Sequence, residues 1–133
     1  MRELVVAAAA LIDTENRVLM AQRPAGKSFA GQWEFPGGKL EPDELPDMAL
    51  RRELHEELGI RVAPADLEPL VVVTHDYPDF RLVMIVYSCR FWAGEAHGRE
   101  GQALKWCRHA ELAALPMPPA DVPVVAALAS LLP

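Results

Sequence analysis

The sequence predicts an α/β fold in a single domain, with short strands gathered around one long amphipathic helix. Three observations carry that expectation. Apolar runs of strand length recur along the chain, one segment has leucines at helical spacing, and 133 residues with 51% hydrophobic and 24% charged positions have the composition of a folded globular domain. At this length folding buries roughly two thirds of the unfolded chain's surface, so a core is available without disulfides or a structural metal.

The elements follow in order. Residues 4–12 are wholly apolar and read as a strand. Asp13, Thr14, Glu15 and Asn16 then turn the chain, and residues 17–23 supply a second strand, expected to lie beside the first. Residues 24–38 are rich in Gly and Pro with Phe29, Trp33 and Phe35 among them, the composition of an ordered, functional loop with one short strand at 33–35. Over residues 46–58, Leu50, Leu54 and Leu58 recur at intervals of four beside Ala49, the apolar stripe of a helix. Pro46 suits its first position and Gly59 its end, whereas Leu45 stands where a capping side chain would add about 1 kcal/mol. Residues 70–74, 81–92 and 103–107 read as strands, 109–115 and 121–132 as short helices, and the proline-rich link at 116–119 as rigid.

Charge excludes some functions. Thirteen Lys and Arg stand against nineteen Asp and Glu, a net charge of −6, which argues against a protein that grips a nucleic-acid polymer by its phosphates. An anionic ligand would need something positive between it and this chain. The apolar run at 4–12 is too short to cross a bilayer, and Glu3 together with the turn and strand that follow argue against a secretory signal. Cys89 and Cys107 form no CxxC pair and read as buried thiols of a reducing compartment, which places the protein in the cytoplasm.

Within the helix, Glu53, Glu56 and Glu57 stand at i, i+3 and i+4, so three carboxylates share one face. Such a face is either simply solvated, with Arg51, Arg52 and His55 as compensation, or a site for a hard divalent cation whose charge removes the repulsion. The wider frame decides between them. Gly38, Glu44, Arg52, Glu53, Leu54, Glu56, Glu57, Gly59 and Ile60 fit the pattern GX5EX7REUXEEXGU at every specified position, a chance match of order one in ten million. The chain therefore resembles the Nudix hydrolases. The segments QWEFPGGK at 32–39 and GREGQ at 98–102 resemble the MutT-type nucleoside triphosphate pyrophosphohydrolases in particular, and the resemblance spans residues 5–128.

The resemblance implies an α/β/α sandwich around a mixed β-sheet and hydrolysis of nucleoside triphosphates to monophosphate and pyrophosphate by water attack at the β-phosphorus. It implies Mg²⁺, with Mn²⁺ as a substitute, bound by the Gly38 carbonyl, Glu53, Glu56, Glu57 and Glu100. Arg52 would orient Glu53 and Glu57, Glu44 would support the helix start, and either Glu53 or Glu100 would serve as general base. Arg23 and Lys39 are the cations expected to meet phosphate oxygens. Phe35 and Tyr77, with Phe29 and Phe80, are candidate stacking partners for the base. The partner is a small nucleotide, with no membrane involved; the sequence does not give the oligomeric state.

Asp121 carries the question of base choice. By the same resemblance, residues 118–121 correspond to the segment in which MutT-type enzymes selective for 8-oxoguanine nucleotides can present an asparagine, and this chain has Asp121 there. An amide donates to O6 and accepts from N7–H at once, whereas an ionised carboxylate only accepts. Either Asp121 is protonated in its pocket, or the preferred base offers donors as cytosine does, or the residue caps the last helix. Phrases such as AQRPA, ALKWC and PPADVP also resemble the cytidine-nucleotide pyrophosphohydrolases of the family. Sanitisation of 8-oxo-dGTP is the first expectation, hydrolysis of CTP or modified cytidine triphosphates the second, and a non-catalytic nucleotide sensor the third.

Overall fold

The computed structural model describes residues 2–133. Strand β1 (Arg2–Leu11) is apolar along most of its length because both of its faces are covered. Ala7, Ala9 and Leu11 pack toward the long helix, while Ala8, Ala10 and Ile12 pack into a second core on the opposite side.

Among the described residues seven strands form two sheets. Strands β2 (Val18–Gln22), β3 (Trp33–Glu34) and β4 (Gly37–Lys39) precede helix α1 (Pro46–Leu58). Strands β5 (Leu67–Asp76), β6 (Phe80–Cys89) and β7 (Leu104–Cys107) follow, then helices α2 (His109–Leu112) and α3 (Val122–Leu128). The first sheet has the order β4-β1-β6-β5, with β1 parallel to β6 and the other pairs antiparallel. The second has the order β3-β2-β7 and is antiparallel. Helix α1 covers one side and α3, with Leu112 of α2, the other, which makes the expected α/β/α sandwich.

One expectation is overturned at the start of the chain. Strands β1 and β2 are not ladder partners; a single bridge from Ile12 to Val18 joins them. Both edges of β1 are already taken, by residues 36–39 on one side and β6 on the other, so the chain must leave for a second sheet. The turn that sends it there is built on Asp13, whose carboxylate accepts from the Glu15 and Arg17 amides.

The other differences have local causes. Strand β4 is Gly-Gly-Lys, a composition with little strand preference, and it forms because β1 offers a template. Strand β5 begins earlier than expected because a bulge between Pro69 and Val71 absorbs a proline that cannot donate to the ladder. The segment at 121–132 opens instead as a 3₁₀ turn over Pro119–Asp121, and α3 ends at Leu128.

Helix α1 has the expected bounds. Ala49, Leu50, Leu54 and Leu58 are fully buried, each leucine contributing about 1.5–3 kcal/mol. Leu45 makes no capping bond and is exposed, and Gly59 ends the helix at φ 75°. Cys89 and Cys107 are buried free thiols. No helix among the described residues is long and apolar enough to cross a membrane.

Candidate active site

The site begins where β4 meets α1. A side chain at Gly38 would overlap the Glu53 carboxyl group, and one at Gly37 would overlap the Ala7 carbonyl oxygen of β1. Two glycines therefore let the strand lie against β1 on one side and the helix carboxylate on the other.

Arg52 organises the acids around it. Its guanidinium meets Glu44 through Nε and Nη2 at 2.8 and 2.9 Å, and donates through Nη1 to Glu53 Oε1 at 2.9 Å. Nη2 also donates to the Lys39 carbonyl at 3.1 Å, and Glu56 lies at 3.4 Å from Nη1. Glu44 in turn accepts from the Glu41 amide, so it is a strut between the loop and the helix, and its carboxyl is held at about 2 by the Arg52 hydrogen bonds. Among the described residues Arg52 makes no bond to Glu57, so the expectation that it orients both Glu53 and Glu57 holds for Glu53 alone.

Glu57 is raised well above the ordinary carboxylate range, first by burial, then by its hydrogen-bonding neighbour Glu53 and by the charges of Glu53, Glu100 and Glu34. Glu53 and Glu57 are thus a close acidic pair, with Glu56 further out and about half exposed. Glu100 is exposed, in a loop that hydrogen-bonds the last turn of α1 through Arg99 and Gln102. Among the described residues no three acidic, histidine or cysteine groups are drawn together into a finished metal cage.

A second cluster lies on the far side of Glu34. Arg23 donates to Glu34 at 2.8 Å and to the Ser28 carbonyl at 2.6 Å, so its charge is engaged there rather than free for phosphate. Glu34 feels Arg23 on one side and itself acts on both Glu57 and Asp121, linking the two clusters. Strand register creates this link: the pairing of β2 with β3 sets Ala21 opposite Glu34, which brings Arg23 within reach. Nothing local in the sequence marks Glu34 for such a role.

Asp121 is the one charged residue buried as deeply as 5% exposure among the described residues. Burial pushes its carboxyl up to about 7, with Glu34 adding to the shift and the Phe35 amide and Arg23 opposing it. Its Oδ2 accepts from the Phe35 amide at 3.0 Å and caps no helix, which overturns the capping reading. The 3₁₀ turn that precedes α3 directs the carboxyl to the Phe35 amide, just after β3, instead. Phe35 itself is 3% exposed in the core, so it serves this site through its N–H and its ring is core packing.

Tyr77 is half-buried at the centre of an aromatic group, with ring centroids 4.6 Å from His75, 5.1 Å from Phe80 and 5.9 Å from Phe29. Its hydroxyl takes a hydrogen bond from the Ala120 amide and lies close enough to Asp121 to feel its charge. Lys39 is exposed beside the carboxylate cluster, where its backbone carbonyl holds Arg52. The arrangement has an acidic end on α1 and an aromatic end that carries one buried carboxyl, with Glu34 acting on both.

Known proteins resemble this chain in sequence and fold. A family model described as NUDIX domain matches residues 7–127. The chain is 42% identical over 100 residues to an 8-oxo-dGTP diphosphatase of Proteus vulgaris, covering 75% of this chain and 88% of that one. It is 37% identical over 131 residues to the CTP pyrophosphohydrolase of Escherichia coli strain K12, covering 97% and 94%. The crystal structure of the MutT NUDIX hydrolase from Burkholderia pseudomallei superposes with a TM-score of 0.84 at 28% identity, over 96% of this chain and 99% of that one.

Proposed function

The chain belongs to the Nudix family, and from that premise we propose that it hydrolyses nucleoside triphosphates to monophosphate and pyrophosphate with Mg²⁺ held by α1 carboxylates. The activity class follows from the family and from relatives that are triphosphate pyrophosphohydrolases. The observation that carries the metal reading is the Glu53–Glu57 pair. Two carboxyl groups this close, one of them buried, are stable only around a shared proton or a cation. The donors are all oxygen, the chemistry Mg²⁺ prefers, with Mn²⁺ the next best fit.

In this reading Glu53, Glu57, Glu56, Glu100 and the Gly38 carbonyl are the candidate ligands. When bound, the cation would polarise the phosphates and acidify a water. Glu57 would serve such a cation as a ligand in its ionised form. Arg52, anchored on Glu44, holds Glu53 in place through its hydrogen bond. Glu53 and Glu100 are the two candidates to take the proton of the attacking water, and Lys39, exposed beside the cluster, is the candidate to meet phosphate. Glu53→Gln should lower kcat by at least about 100-fold, in the range of a lost general base, while the thermal melting curve stays that of a folded protein. Full activity in that folded variant would refute the assignment.

For the base we propose 8-oxoguanine, read by a protonated Asp121. A carboxyl raised to about 7 carries a proton on a large share of molecules at neutral pH, and then offers one donor and one acceptor as an amide does. Tyr77 and Phe29 would flank the base. The second reading, a cytosine-type base, is favoured by the extent of the match to the CTP pyrophosphohydrolase and by the ionised form of Asp121, which accepts from an amino group. Pyrophosphate release from 8-oxo-dGTP, dGTP, dCTP and 5-methyl-dCTP, measured side by side with Mg²⁺, separates them. A preference above about tenfold, or 1.4 kcal/mol, for a pyrimidine would select the second.

A further inference from the structure

We infer that Gln102 is a positioning residue for Glu100, holding the loop at 97–102 against the end of α1 so that this distant carboxylate stands beside Glu57. The inference rests on the reading of Glu100 as one of the cation's ligands. Its starting point is the end of the helix, where the last four carbonyls have no partner within α1. The loop supplies partners for three of them. The His97 amide donates to the Leu58 carbonyl at 3.1 Å and the Arg99 amide to the Glu57 carbonyl at 3.0 Å. Arg99 Nη1 reaches the His55 carbonyl at 2.9 Å.

Gln102 adds a contact of another kind. Its Nε2 donates to the Glu57 carbonyl at 3.3 Å, and its Oε1 accepts from the Glu100 amide at 3.0 Å. One carboxamide therefore ties the backbone of a helix acid to the backbone of the loop acid. The turn between is tight: a side chain at Gly98 would overlap the Gln102 carbonyl oxygen, and the Gly101 amide closes on the Gly98 carbonyl at 3.0 Å with φ 80°. The Glu100 side chain itself makes no hydrogen bond among the described residues, so its position comes from its backbone. With Gln102 removed, the His97 and Arg99 contacts still dock the loop, and what loosens is the turn that carries Glu100.

The test titrates Mn²⁺ alone into the nucleotide-free protein and reads free Mn²⁺ by electron paramagnetic resonance. The proteins compared are the parent, Gln102→Leu, Glu100→Gln and the double variant. Gln102→Leu should weaken Mn²⁺ binding about tenfold, the size of effect seen for residues that orient metal ligands, and should add nothing on top of Glu100→Gln. It should lower kcat with the KM for nucleotide unchanged. The Glu100 amide should also lose hydrogen-exchange protection while the amides of α1 keep theirs. Gln102→Met, of similar length, repeats the measurement if the leucine variant unfolds. Parental Mn²⁺ binding in the Gln102 variants, or full additivity with Glu100→Gln, overturns the inference. If Glu100→Gln itself binds Mn²⁺ and turns over like the parent, it is the assignment of Glu100 that fails.

Discussion

Asp121 ties chemistry to stability through one proton. Its carboxyl ordinarily titrates at 3.8, and the folded site raises it to about 7. Between those values the folded chain keeps a proton that the unfolded chain has released. Stability from this group is therefore full below 3.8, falls as pH rises to about 7, and is flat above. The slope is about 1.4 kcal/mol per pH unit across that window. Asp121→Asn should remove it, and urea unfolding of parent and variant at pH 4.5, 6 and 8 would reveal a stability gap that changes with pH. The same proton should govern base choice. The ratio of kcat/KM for 8-oxo-dGTP over dCTP should fall as pH rises through 7 in the parent and stay level in Asp121→Asn. At Gly38 an added methyl meets the Glu53 carboxyl, so Gly38→Ala should cut kcat by about 10²-fold, the loss expected from a small displacement of a reacting group, with the fold kept.

At the scale of the element, α1 is a scaffold whose two faces have separate tasks. The buried leucines hold it, and Leu54→Ala should cost about 2–5 kcal/mol, measured by urea unfolding. The start of the helix lacks a side-chain cap and Leu45 is 61% exposed there, so Leu45→Thr should add about 1 kcal/mol of stability with turnover unchanged. This helix was legible in the sequence from Pro46 to Gly59 because its stripe, its first residue and its stop are all local signals. Strand β4 and the start of β5 were not legible, since one needs β1 as a template and the other hides a proline inside a bulge. The acids on α1 were legible by spacing. The selective partnership of Arg52 with Glu44 and Glu53 was not, because it depends on how the 39–45 segment returns to the helix.

The whole molecule carries a net charge of −6 and is proposed to bind a polyanion. Its cations do little to offset this: Arg52 is spent on Glu44 and Glu53, and Arg23 on Glu34. Removal of divalent ions with EDTA should abolish turnover, and Mg²⁺ should restore it in full. Turnover that persists in EDTA would remove the cation from the account. The two clusters that such a substrate would bridge sit at opposite ends of a path through Glu34, and no short stretch of chain contains both. The sequence by itself determined the helix, its acidic face, the glycines that approach it and the family these define, because each is written in residues a few positions apart. Only the tertiary structure decided that β2 leaves β1 for another sheet, that Glu34 joins the acids of α1 to Asp121, and that Asp121 turns to Phe35 instead of capping α3. Those outcomes depend on which strand edges are already filled and how much water is excluded around a carboxyl group, and both are set by segments distant in the chain.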